Sequence, residues 1–207
     1  MTEPVSLALA RAQCRIEADD TAEDALLSSY IGAARALVED MTGLILVQRP
    51  VVEHFDGFVP RLGTPFLDDD QWRRPSPPQV YGQPQGRPLA LRAWPIASVD
   101  GVAYTDPDGT QQVLAGTRLV GGAWPGALWP PADASWPSVR EAEGVDVTLT
   151  AGFAGDAVPL QAVQAMLLLI AHWYQNREAV RAGDRAAAVE IPLAAQALCD
   201  MLSLQRV

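Results

Sequence analysis

The chain has 207 residues, 49% of them hydrophobic, and a formal charge of −10. That length and apolar content suffice for one large domain, or one domain with an inserted subdomain, around a real core. The acidic balance argues against tight nucleic-acid binding through the phosphate backbone, which needs a basic surface. All fifteen basic residues are arginine. The missing lysine reads as GC-rich coding bias more than as a set of contacts, although the planar guanidinium does suit interfaces. The two cysteines, Cys14 and Cys199, lack metal-ligand spacing and read as reduced, buried thiols. The start of the chain lacks the basic residues of a signal peptide, and the apolar run 165–171 is far below the ~20 residues that span a bilayer. The expected setting is the cytoplasm, or a particle assembled there.

In chain order, a short helix is expected over 10–16, then an acidic break at Glu17, Asp19 and Asp20. A long helix follows over 21–42 and is closed by Gly43. Asp20 and Glu23 have the spacing of a capping box, in which each side chain satisfies a free amide at the helix start. Leu26, Leu27, Tyr30, Ile31, Ala34, Leu37, Val38 and Met41 share its apolar face. Its other side is small (Ser29, Gly32, Ala33, Ala36), fit for close approach by another helix of the chain or by a neighbouring subunit.

The middle reads as short strands and turns. Residues 45–55 are β-rich, but Pro50 cannot donate to a ladder, so this is an edge or interrupted strand. Residues 99–105 and 111–114 flank Asp106-Pro107-Asp108-Gly109, the composition of a tight turn, and predict a hairpin. Residues 144–152 alternate, with Val145, Val147 and Leu149 on one side. Between them, 59–88 is rich in Pro, Gly and Gln, includes Asp68, Asp69 and Asp70, and is too long for an ordinary connection; it reads as an arm or loop. Four Trp-Pro pairs begin at Trp94, Trp124, Trp129 and Trp136. Their tryptophans either cover the faces of a small sheet or, at Trp124 and Trp129, anchor an interface.

The last part is helical. Pro159 fits a first helical turn, and the helix over 159–180 is apolar around most of its circumference (Val163, Met166, Leu167, Leu169, Ile170, Trp173, Tyr174). Gln161, Gln164, His172 and Gln175 form a narrow polar stripe. After a linker over 181–190, a short helix starts near Pro192, with Gln196, Asp200 and Ser203 polar and Ala197, Leu198, Met201 and Leu202 available to pack.

Enzymatic chemistry finds little to work with. His54 and His172 lie apart without partner motifs, and no nucleophile elbow, phosphate loop or dinucleotide fingerprint occurs. The triple aspartate lacks the glycine and terminal glutamate of a calcium loop and reads as a solvated acidic stretch. Arg177 and Arg181 complement a helix C-terminus. No catalytic, metal or cofactor-binding residue and no cofactor are expected.

The expected fold class is α+β. Residues 1–43 and 157–207 form a helical core, and 44–156 an inserted antiparallel β region carrying the 59–88 arm. The strand ending Thr150-Ala151-Gly152-Phe153, the following Val158-Pro159, and the helix ending His172-Trp173-Tyr174-Gln175-Asn176-Arg177-Glu178-Ala179 carry a likeness. With the two front helices, the hairpin over 96–104 and Glu190-Ile191-Pro192, this set resembles the head–tail connector (adaptor) proteins of long-tailed bacteriophages and gene transfer agents. The resemblance spans most of the chain except about 59–88, where the sequence departs from the family pattern.

The resemblance implies a non-enzymatic subunit of a ring, typically of about twelve copies closed by head-to-tail contacts. The ring would sit in the neck of a particle between the portal protein and a stopper or tail-completion protein. Double-stranded DNA would pass through its lumen without specific binding, and no membrane is involved. Interface candidates on this reading are Trp173, Tyr174, Arg177, Pro192, Leu198, Met201, Leu202, Trp124 and Trp129. The segment 192–207 is the expected portal contact. Two alternatives stay open: another joining protein of the virion (stopper or tail terminator), or a small soluble enzyme or ligand-binding protein.

Overall fold

The computed structural model describes residues 3–58, 87–122, 124–132, 134–140, 142, 144–176 and 191–203. The expected arm, apart from Arg87 and Pro88, lies outside the described residues, as do Asp68, Asp69 and Asp70, the 181–190 linker and Arg177. Helices and small antiparallel sheets make the chain α+β. It divides into two units, Met1–Arg49 with Ala151–Val207, and Pro50–Thr150.

The first unit is helical. Helix α1, Leu7–Cys14, starts where the Ser6 hydroxyl accepts from the Leu9 N–H at 3.2 Å, and it stops at Arg15, which turns left-handed at φ 60°. Helix α2 spans Asp24–Thr42 and ends at Gly43, φ 75°. The capping box does not form. The Asp20 carboxylate is spent on the Ala22 N–H two residues on, at 2.9 Å, while Glu23 occupies the cap position with no capping bond. Arg11 braces this entry instead, gripping Asp24 with two guanidinium nitrogens and donating to the Ala18 carbonyl. Leu27, Ile31, Ala34, Val38 and Thr42 recur every three or four residues and are buried. The small side of α2 is open within the unit: Ser29, Ala33 and Ala36 are exposed, and a Cβ on Gly32 would meet nothing within 4 Å.

Helix α3, Leu160–Gln175, packs against α1, α2 and α4, which explains its broad apolar surface. Ala162, Ala165, Met166, Leu167, Leu169 and Ile170 are buried, whereas Gln161, Gln164 and Gln175 are exposed. Pro159 sits at the cap rather than in the first turn, and its carbonyl accepts from Ala162 and Val163. Helix α4, Leu193–Leu202, buries Ala195 and Cys199 and half-buries Leu198 and Leu202. Ala197 and Met201, expected to pack, are exposed. At 100° per residue Ala197 lies about 200° round from Ala195, on the far side of the helix.

Among the described residues the second unit holds two sheets. The larger has the order β1-β7-β3-β4, with β1 Arg49–Phe55, β3 Ile96–Thr105, β4 Gln111–Val113 and β7 Val145–Ala151. Strand β1 lies at an edge, where Pro50 is tolerated. In the hairpin Ala103 pairs with Val113 and Thr105 with Gln111. The Asp106 carboxylate accepts from the Thr110 N–H at 2.8 Å, and Gly109 supplies the positive φ of the turn, 87°. Strand β7 alternates as predicted, burying Val145, Val147, Leu149 and Ala151. The smaller sheet, β2-β6-β5, comprises β2 Leu89–Leu91, β6 Gly126–Trp129 and β5 Arg118–Val120, all antiparallel, with Leu89, Leu91 and Leu128 buried.

Candidate interaction site

The ionisable side chains mostly hold the fold. In the helical unit the Glu39 carboxylate, 12% exposed, accepts from the Leu46 N–H at 2.8 Å and from Arg49 at 2.9 and 3.2 Å. It also takes Arg35, which reaches on to Glu3. This fixes the chain just after α2. In the β unit both Glu53 oxygens accept from the Arg92 N–H, and one accepts from the Ala93 N–H at 2.6 Å. Thr150 and Ser98 each donate to Asp100 at 2.7 Å, and these two bonds hold its carboxyl below the ordinary carboxylate range.

His54 and His172 are equally local. His54 Nδ1 lies 2.7 Å from Asp146 Oδ1, both exposed, and Asn176 donates to the His172 carbonyl where α3 ends. Among the described residues no group of three or more His, Cys, Asp and Glu is placed to hold a metal. Cys14 and Cys199 are not joined in a disulfide, and burial, followed by neighbouring Asp200, pushes the Cys199 thiol up.

The residues predicted to lie at interfaces fall into three sets. Trp173 and Tyr174 are engaged inside the helical unit: Trp173 meets Tyr30 at 6.0 Å between ring centres, and the Tyr174 hydroxyl donates to Glu23 at 2.6 Å. They join the end of α3 to the start of α2. Trp124 donates its indole N–H to the Arg92 carbonyl at 3.3 Å, and Trp129 lies in β6 opposite Arg118. Both are half-buried. The third set is on α4. Pro192 caps the helix, Leu198 and Leu202 are half-buried, and Met201 is 73% exposed.

Met201 does not stand alone. Leu193, 83% exposed, and the exposed Ala194 and Ala197 accompany it along the outer side of α4, an apolar stripe bordered by Gln196 and Asp200. Leu160, 81% exposed at the first turn of α3, is a further uncovered apolar side chain, and Val113 on the short edge strand β4 is 79% exposed. The sequence reading passed over Leu193, Leu160 and Val113. A signal was available, because a large apolar residue in the first turn of a helix has little of its own chain to cover it. No described helix is long and apolar enough to cross a membrane, so these side chains are not part of a spanning helix.

Comparison with known families matches residues 4–61 to the phage gp6-like head–tail connector proteins. Comparison with curated proteins finds no match. Among solved structures, the chain resembles a protein in the neck of the empty gene transfer agent particle computed with C6 symmetry. Identity is 26%, the TM-score is 0.65, and the match covers 100% of this chain and 94% of that one. A chain of the native gene transfer agent virion matches at 25% identity and TM-score 0.65, over 99% of this chain and 91% of its own length. A third, from the native neck computed with C12 symmetry, matches at 25% identity and TM-score 0.61, over 100% and 96%. Residues 4–61 are thus similar in sequence to phage head–tail connector proteins, and the fold over the full length is similar to chains in the necks of gene transfer agent particles.

Proposed function

We propose that this protein is a structural head–tail connector subunit that forms a ring in the neck of a phage or gene transfer agent particle, between portal and stopper or tail-completion protein, and extends the DNA channel. The observation that carries this reading is the full-length likeness to neck proteins, at 25–26% identity, in particles computed with C6 and C12 symmetry. A ring of more than two copies of one chain requires a heterologous contact, in which two different surfaces of each copy meet. The apolar stripe of α4 and the small open side of α2 are two such surfaces on the helical unit. A portal offers the same contact many times, so weak single contacts become firm through multivalency. The acidic charge of −10 per copy favours passage of DNA over its retention.

Imaging the protein mixed with its portal tests the ring. A cyclic assembly stacked on the portal is expected; placement elsewhere in the particle, or no association with the portal, overturns the proposal. The predicted portal contact at 192–207 has its own test. Deleting that segment is expected to abolish portal binding while the helical content contributed by α2 and α3 persists. Unchanged binding removes that assignment.

A further inference from the structure

Two outward helix faces of the helical unit differ in kind. On α4, Leu193, Ala197 and Met201 fall at i, i+4 and i+8 and form one ridge about 12 Å long. Its two large side chains are 83% and 73% exposed. On α2, Ala25, Ser29, Gly32 and Ala36 fall at i, i+4, i+7 and i+11, opposite the buried Leu27, Ile31, Ala34 and Val38. That line runs about 16 Å without a charge, where a helix side facing water ordinarily carries charged residues. The ends of the two faces also differ. Helix α4 begins at Pro192, which supplies no capping side chain, and its first turn has no acidic residue. One turn beyond Ala36 stands Asp40, exposed and with no hydrogen bond or ion pair to a described residue.

We infer that the α4 ridge of one copy lies along the small face of α2 of the next copy, the two helices antiparallel, with Leu193 over Ala36 and Met201 over Ser29. This deepens the connector reading and rests on it, because the ring supplies the second copy. The resembled neck chains belong to particles computed with C6 and C12 symmetry, and a ring joins two different faces of each copy. Shape matches the pair: a ridge of large side chains needs a surface of small ones to approach closely, and the two lines are of similar length. Charge sets the direction. Run antiparallel, the helices bring Asp40 of one copy to the uncapped start of α4 of the next, where free N–H groups carry partial positive charge. Run parallel, they set Asp40 beside Asp200, two carboxylates together. A few side chains fall short of the about 800 Å² per partner of a stable complex. The contact therefore closes a ring gathered on a portal and does not hold a free dimer.

Disulfide trapping on the portal tests this. Copies carrying Ala36→Cys are mixed with copies carrying Leu193→Cys, and Ser29→Cys copies with Met201→Cys copies, before mild oxidation. All four positions are exposed, so the fold tolerates the changes. Each mixture is expected to give a linked dimer as its main product, because the paired positions come within reach of a disulfide. Neither variant alone should link, and neither should the crossed mixtures, Ala36→Cys with Met201→Cys and Ser29→Cys with Leu193→Cys. In the otherwise natural chain Asp40→Lys is expected to lower the yield of rings about threefold, since it sets a cation at a helix N-terminus. A ring on the portal that lacks the expected links, that forms the crossed ones, or that gains from Asp40→Lys overturns the inference and leaves the connector reading standing. If the natural chain forms no ring on the portal, both fall.

Discussion

In the helical unit α3 buries six side chains and touches each of the other three described helices, whereas in the β unit four of the seven described strands are only three or four residues long. A helix of that kind is held by area, through many small apolar contacts that no single residue dominates. Short strands bury little, so the β unit adds directional ties from side chain to backbone: Glu53 to Arg92 and Ala93, Trp124 to Arg92, Trp136 to Arg87, and Asp106 to Thr110. The helical unit uses such ties chiefly where its helices begin or end, as at Glu39 and Thr42. The lesson is that the two units should fail differently. One should degrade gradually with lost volume, and the other at particular bonds.

Truncating buried leucines gives the largest expected effect. Leu169→Ala in α3 and Leu128→Ala in β6 remove side chains with no exposure. Each should cost about 2–5 kcal/mol in denaturant unfolding, with Leu169 the costlier because its helix is packed against α1, α2 and α4, which limits collapse around the cavity. A larger loss at Leu128 would break the comparison. Next comes Gly152, at φ +113°, where a Cβ would stand 2.6 Å from the Val47 carbonyl and 2.7 Å from Gln48 backbone atoms. Gly152→Ala should cost about 3 kcal/mol by thermal or chemical unfolding, because backbone cannot move aside as a side chain can.

A matched pair of carboxylates sharpens the contrast. Glu39→Gln should lose about 2 kcal/mol, since Glu39 serves Leu46, Arg35 and Arg49 from a position with little solvent, and Glu53→Gln about 1 kcal/mol. The Glu53 change should speed amide exchange at Arg92 and Ala93 specifically, a local readout with no counterpart in α3.

The smallest effect concerns Asp100, whose carboxyl is held low by Thr150 and Ser98. The folded pKa lies below the unfolded one, so its contribution is complete above the ordinary carboxylate range and vanishes as pH falls through the folded value. Comparing the melting temperatures of the natural chain and Asp100→Asn across acid pH should show a gap that closes on acidification. A gap constant with pH would mean that the two hydrogen bonds, and not the charge, matter.

Much of this was legible beforehand, and the misses share a cause. The period of α2 and α3, the alternation of β7, the hairpin at Asp106-Pro107-Asp108-Gly109 and the edge position announced by Pro50 are all local signals, written within a dozen residues. The face of α4 was misread because Leu193, Ala194, Ala195, Ala197, Leu198, Met201 and Leu202 are apolar nearly all round, so two faces compete and only packing chooses. The β2-β6-β5 sheet escaped notice because three or four residues carry no period. Glu23 was assigned to a cap that its partner Tyr174, far along the chain, takes it away from. The likeness to head–tail connectors came from the ordered set of segments; the residues that meet a neighbour leave no such mark, since an exposed Leu193 differs from a buried one only by what surrounds it.

The chain passes out of the helical unit after Arg49 and returns at Ala151, and just inside that unit the Gln48 N–H donates to the Phe153 carbonyl at 3.2 Å while Gly152 lies against Val47 and Gln48. Departure and return therefore share one doorway. A polypeptide laid out in this manner leaves and re-enters its helical frame at neighbouring backbone positions, so a change of length between them has one point of attachment to accommodate.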